Sequence, residues 1–192
     1  MTPSFPRNKN FNIIIAGVGG QGLITLVKII TESALIDGYD VKSSELHGLS
    51  QRGGSVLAHI RFGKKVYSPM VEQGKANLIM SLELLEGLRS LNFSNKETNV
   101  LINKHSLPVL GGLKDEEILK SLPDKNLYLV EASKICKDKL QREVVSTLYI
   151  LGYAVYKSLI PLKEESVLKA IENVIPERYL ELNKQAFKLA KV

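Results

Sequence analysis

Gly17, Gly19, Gly20 and Gly22 stand with Gln21 in "GVGGQG", directly after the apolar run from Phe11 to Ala16. The chemistry such a stretch permits is anion capture. Without side chains the backbone comes close to a ligand, and the amides that open the following helix point at a negative charge. Gly17, Gly19 and Gly22 keep the G-x-G-x-x-G spacing of dinucleotide-binding turns. Glu45 stands near the end of the next expected strand, about 20 residues on, where such folds set an acid against a ribose. A sharp strand-to-helix turn with no ligand meets the same spacing. Gln21 adds a side-chain amide that can donate to a phosphate or accept from a neighbouring chain.

A second polar segment, "ELHGLSQRGGSVLAHIRFG", runs from Glu45 to Gly63 and sets Glu45, His47, Gln51 and Arg52 around Gly48, Gly53 and Gly54. Ordered loops carrying charge tend to be binding loops. His47 could carry a proton or touch a phosphate, and Arg52 could clamp a phosphate or carboxylate through two parallel bonds. The competing reading is a polar network that only stitches the loop together. His59, within an alternating stretch, reads as a half-buried packing residue. His105 follows an apolar strand at the edge where α/β sheets place ligands, yet lacks a partner motif. Tyr149, Tyr153 and Tyr156 fall on one helical face, the pattern of a core or subunit contact.

The elements that must position these residues follow from hydrophobic period. Phe11 to Ala16 has the continuous apolar character of a parallel strand buried on both faces. Leu23, Leu26, Val27, Ile30 and Ala34 then recur at helical spacing up to Gly38, and "VKSSEL" reads as a second strand, completing a right-handed βαβ unit. "SVLAHIRFG" alternates and is expected to form an antiparallel hairpin with "KKVYSPMV". "ANLIMSL", "NVLIN" and "NLYLVEA" read as further strands, with helices at "ELLEGLRSL" and "KDEEILKSL". From Lys134 onward three helices are expected, divided by Pro161 and Pro176. The fold class expected is α/β: a three-layer, Rossmann-like, mainly parallel sheet with a β-hairpin and a helical C-terminal third. Residues 1–10 read as a flexible tail and residues 11–192 as one domain.

Composition narrows the function classes. The net charge of +6 invites an anionic partner, but the lysines are scattered, aromatics make up only 6% and tryptophan is absent, so no nucleic-acid partner is expected. Cys136 is the single cysteine. An iron–sulfur cluster takes about four thiolates, so none is expected on this chain, and Cys136 reads as a small core residue. No metal site, membrane span or signal peptide is expected, and the chain reads as cytoplasmic.

The two glycine segments together carry a family resemblance. "GVGGQG" followed by "SELHGLSQRGGSVLAHIRFG" resembles the gamma-type domain of 2-oxoacid:ferredoxin oxidoreductases, and within that family the free-standing beta subunits of the indolepyruvate type. The likeness continues through "SPMVEQGKANLIMSLELLEGLR" and reaches "NKQAF" at Asn183 to Phe187, similar to a closing N-x-x-A-F. One departure stands out: Ser146 and Thr147 occupy a stretch where the family carries an asparagine. The resemblance implies a subunit with no catalytic residue of its own. Its alpha subunit would carry thiamine diphosphate and iron–sulfur clusters, oxidise aryl pyruvates to coenzyme A thioesters and pass electrons to ferredoxin, giving a hetero-oligomer. Gly17, Gly19, Gly20, Gln21, Gly22, Glu45, His47, Gln51 and Arg52 would then contact coenzyme A or the partner. The alternatives are a free-standing NAD(P)- or FAD-binding oxidoreductase, and a gamma subunit of a pyruvate or branched-chain 2-oxoacid enzyme.

Overall fold

The computed structural model describes residues 9–47, 54–107 and 113–191, with the side chain of His47 excepted. Among the described residues six strands form one sheet: β1 (Phe11–Val18), β2 (Asp40–His47), β3 (Ser55–Gly63), β4 (Leu78–Ser81), β5 (Asn99–Asn103) and β6 (Leu127–Val130), in the order β2-β3-β1-β4-β5-β6. β1, β4, β5 and β6 run parallel, and β3 is antiparallel to both of its neighbours, β1 and β2.

Both faces of the sheet are covered, which is why β1 reads as an apolar run rather than an alternation. Ile13, Ile15, Val56, Ala58, Ile60 and Phe62 belong to the larger core. That core is shared with α1 (Leu23–Ile36), α4 (Ala132–Leu140), α5 (Ser146–Tyr156), α6 (Glu164–Val174) and α7 (Glu177–Leu189). Ile14, Ile79, Val100 and Ile102 face the smaller core, with the short helices α2 (Leu84–Arg89) and α3 (Asp115–Lys120). Three layers result, as expected.

Three expectations are corrected. β3 makes no hairpin with the residues after it. Of its two antiparallel partners, β2 is the one that directly precedes it in the chain, so the hairpin is formed by β2 and β3. The carbonyls of Ser68 and Met70, which a strand would use, accept from the Arg61 guanidinium at 3.1 and 3.3 Å instead. The Val66 amide donates to Asp40 at 2.7 Å. The first βαβ unit is also altered, because β3 sits between β1 and β2. Finally, four α-helices rather than three follow β6 among the described residues: α4 lies where none was expected, ended by Gln141 at φ 54°.

The C-terminal motif is a packing device. Ala186 and Phe187 are fully buried, and a Cβ on Gly152 would lie 2.2 Å from the Phe187 carbonyl oxygen and 3.1 Å from Ala190 Cβ. The glycine lets α5 and α7 cross almost backbone to backbone. Asp37, just past α1, fastens the start of α6, accepting from the Lys163 amide at 3.0 Å and the Ser166 hydroxyl at 2.6 Å.

Two single residues behave as core. Cys136 is fully buried, and desolvation pushes its thiol up to about 11, so it stays neutral and unreactive. His59 is buried more deeply than expected: Nδ1 accepts from the Val71 amide at 3.1 Å, Nε2 has no partner among the described residues, and the ring meets Phe93 edge-on. Desolvation lowers its pKa, so the ring is neutral.

Candidate functional site

The glycine loop is built largely for itself. Gln21 folds back so that its Oε1 accepts from the Val18 amide at 2.8 Å, while its own amide donates to the Val18 carbonyl at 3.2 Å. A Cβ on Gly17 would sit 2.8 Å from that same Oε1 and 3.2 Å from Leu82 Cβ. Gly17 is therefore required by Gln21 and Leu82. Gly20 and Gly22 take φ values of 103° and 81°, which L side chains rarely adopt. Gly22 opens α1 with no side-chain cap, leaving the first amides of the helix available.

The two glycine segments meet in space. β1 ends at Val18 opposite Ser55, the first residue of β3, and the Gly19 amide donates to the Gly54 carbonyl at 2.9 Å. The Ser55 hydroxyl in turn donates to Glu86, which also accepts from Arg89 at 2.6 Å. Glu83 caps α2 by accepting from the amides of Leu85 and Glu86, and desolvation raises its pKa. This pair of buried glutamates anchors the start of β3 beside the loop.

Glu45 lies on β2, opposite Ala58 of β3. With β3 interposed it stands two strand spacings from β1, about 10 Å, where a dinucleotide fold would have its acid one strand away. His47 ends β2 opposite Val56. Gln51 and Arg52 lie outside the described residues.

A cavity of about 300 Å³, the polar cavity, in which polar side chains stand among Leu82, Leu107 and Val144, opens at the carboxyl edge of the parallel strands. Gly20 and Gln21 line it from the end of β1, Asn103 and His105 from the end of β5, and Ser133, Ser146 and Thr147 from the starts of α4 and α5. Asn103 is buried and fixed, donating to the Leu82 carbonyl at 3.1 Å and to Ser133 Oγ at 2.9 Å. Thr147 Oγ1 donates to the Gln21 carbonyl at 2.9 Å, which fastens the glycine loop to α5. His105 finds the partner its local sequence lacks, with Nδ1 3.5 Å from the Glu143 carboxylate.

The helix starts around this cavity share one property. α1, α4 and α5 carry no acid in the first turn and no side-chain cap. The other four α-helices among the described residues all do carry one: Glu86 in α2, which begins two residues after the lining residue Leu82, Asp115 to Glu117 in α3, Glu164 and Glu165 in α6, and Glu177 in α7. Acid in a first turn neutralises the positive end of a helix. Glu131 is the N-cap residue of α4, and α5 continues from a single 3-10 turn that begins at Glu143, a residue of the recess lining, so the start of α1 is the one of the three with no carboxylate beside it. Of the nearby carboxylates, Glu131 pairs with Lys104 and Lys134, and Glu143, itself in the lining, stands 3.5 Å from His105 Nδ1. Gln21 Nε2 has no partner among the described residues. The set suits phosphate oxygens. It does not suit a metal, and among the described residues no three His, Cys, Asp or Glu side chains gather as a ligand set. No helix among them is long and apolar enough to cross a membrane.

Residues 12–191 match the model of the pyruvate ferredoxin/flavodoxin oxidoreductase family. The chain belongs to that family. Among its relatives in the oxidoreductase family, the indolepyruvate oxidoreductase subunit IorB of Thermococcus kodakarensis is 35% identical over 191 residues, covering 94% of each chain. The same subunit of Methanothermobacter thermautotrophicus is 31% identical over 93% of this chain and 95% of its own length. The common gamma subunit of the pyruvate/ketoisovalerate oxidoreductases of Pyrococcus abyssi is 30% identical over 88% and 89%. The fold recurs in the gamma subunit of a keto/oxoacid ferredoxin oxidoreductase from Geobacter sulfurreducens, with a TM-score of 0.71 at 22% identity over 94% and 96% of the two chains. It recurs again in 2-oxoglutarate:ferredoxin oxidoreductase from Magnetococcus marinus, with a TM-score of 0.75 at 16% identity. There 95% of this chain matches 30% of the other, so the same fold is one part of a longer polypeptide.

Proposed function

We propose that this chain is the gamma-type subunit of a 2-oxoacid:ferredoxin oxidoreductase acting on aryl pyruvates, and that it supplies no reacting group itself. An alpha subunit carries the thiamine diphosphate and iron–sulfur clusters and passes electrons to ferredoxin. The two joined glycine segments face that subunit, and the cavity beside Gly20 receives phosphate oxygens of coenzyme A. The aryl-pyruvate choice is supported by four relatives named for indolepyruvate at 31–35% identity. Those named for pyruvate or ketoisovalerate fall at 24–30%.

The observation that carries the coenzyme A reading is the uncapped, acid-free start of α1 behind Gly20 and Gln21, which line the recess. Thiamine chemistry and electron transfer are assigned to the partner. A cluster does not fit this chain, whose one thiol is buried and neutral. The residues here bind and orient: helix-start amides and Gln21 hold the anion, and Thr147 fixes the loop that presents them. A second reading, in which the glycine segments serve only the subunit contact, is favoured by the internal use of the Gly19 amide and of Gln21 Oε1.

Arg52→Ala in the reconstituted complex separates the two. A raised KM for coenzyme A with intact assembly supports the ligand reading, and failure to assemble supports the contact-only reading.

A further inference from the structure

Beside the polar cavity lies a larger and mostly apolar one of about 470 Å³, which shares Val144 and Thr147 with it. We propose that this second cavity binds a small aryl carboxylate, independently of the coenzyme A reading. The volume falls in the range of small-molecule sites, roughly 300–1,000 Å³. Val145, Leu148 and Ile175 form a buried apolar floor. Pro176 and Tyr179 add flat faces suited to a ring, and Tyr179, 48% exposed, stands at the mouth with the Arg178 guanidinium 4.6 Å over its own ring.

The polar groups are few and open. Arg142 lines the cavity, and its guanidinium has no hydrogen-bond or ion-pair partner among the described residues. Its neighbour Glu143 faces His105 instead. The Thr25 hydroxyl, also in the lining, has no partner among the described residues. Asn183 spends only its Nδ2, on the Tyr179 carbonyl at 2.8 Å. Gly22, at the uncapped start of α1, completes the wall. One free planar guanidinium and one open hydroxyl on an apolar well form the complement of a carboxylate joined to a ring. A bare phosphate would leave the apolar floor unused, and a neutral ring would leave Arg142 unpaired.

The chain has no tryptophan, so the fluorescence anisotropy of indole-3-acetate reports binding to the full chain directly. Saturable binding is expected with a Kd of about 1 mM or tighter, the efficiency usual for a ligand of this size. Neutral indole and the exposed-site variant Arg142→Met should each bind about tenfold more weakly. Val174→Phe, which fills the well, should abolish binding while circular dichroism shows an unchanged fold. Amide shifts in the wild-type chain should gather at Thr25, Leu148 and Leu182. Absence of saturable binding, indole binding as tightly as its acetate, or shifts gathered elsewhere would each overturn the proposal. Displacement of indole-3-acetate by hexanoate at equal concentration would overturn the ring preference.

Discussion

Ser146→Asp separates the stability of the fold from anion capture, because it should move them in opposite directions. Ser146 is the first residue of α5, half-buried, and lines the polar cavity. An aspartate there adds an acid to the first turn of α5, one 3-10 turn after Glu143, and an acid near a helix start is worth about 0.3–1 kcal/mol. For a chain of 192 residues that raises Tm by about 1–4 °C. The same carboxylate would repel a phosphate bound in the cavity, taken at a separation of about 5 Å. With an effective dielectric between those of a protein surface and of water, the repulsion is about 1–2 kcal/mol. In the reconstituted complex the KM for coenzyme A should then rise about 5- to 30-fold with kcat nearly unchanged, since uniform binding is what is lost. Ser146→Asn is the neutral control and should leave KM alone. The effect should shrink as salt is added. A stabilised, normally assembling Ser146→Asp variant whose KM for coenzyme A stays at the wild-type value would refute the reasoning.

Gly152→Ala forces a methyl against the Phe187 carbonyl at 2.2 Å, an overpacking expected to cost about 1–3 kcal/mol, read as a lowered urea midpoint. His59 has its pKa lowered from 6.5 by burial, so as pH falls below that value the unfolded chain takes up a proton that the folded chain refuses. Stability should therefore drop with falling pH, by at most about 1.4 kcal/mol per pH unit from this group, and His59→Gln should flatten the slope in urea titrations between pH 7.5 and 5.5. Cys136, the one cysteine, should resist an aromatic disulfide reagent at pH 8 until denaturant is added; prompt labelling of the folded chain would contradict its burial.

Much of this architecture is legible from local pattern, because parallel strands covered on both faces must be continuously apolar. Phe11 to Ala16, "ANLIM" and "NVLIN" announce themselves in that way, and Gly20 and Gly22 mark backbone that side chains would strain. Pairing is less legible. The alternation of Val56, Ala58, Ile60 and Phe62 gives one buried face to β3 but does not say which strand lies beside it, so its insertion between β1 and β2 went unseen. α4 was hidden by its brevity and by an ending at Gln141, where glycine would have been the readable stop. The polar cavity is a product of long-range contact: His105 meets Glu143, and Thr147 meets Gln21, 126 positions away. A signal for it was nevertheless present. The helices beginning "LITL", "ASKI" and "STLY" open without an acid in the first turn, unlike the other four.

The most direct measurement mixes the purified chain with the separately purified alpha subunit and follows both elution and 2-oxoacid-dependent ferredoxin reduction. The chain should elute with the alpha subunit in one complex, show no turnover alone and be required for full coenzyme A-dependent activity. A chain that elutes apart from the alpha subunit, or that by itself oxidises an oxoacid or a hydride donor, would contradict its role as a docking subunit.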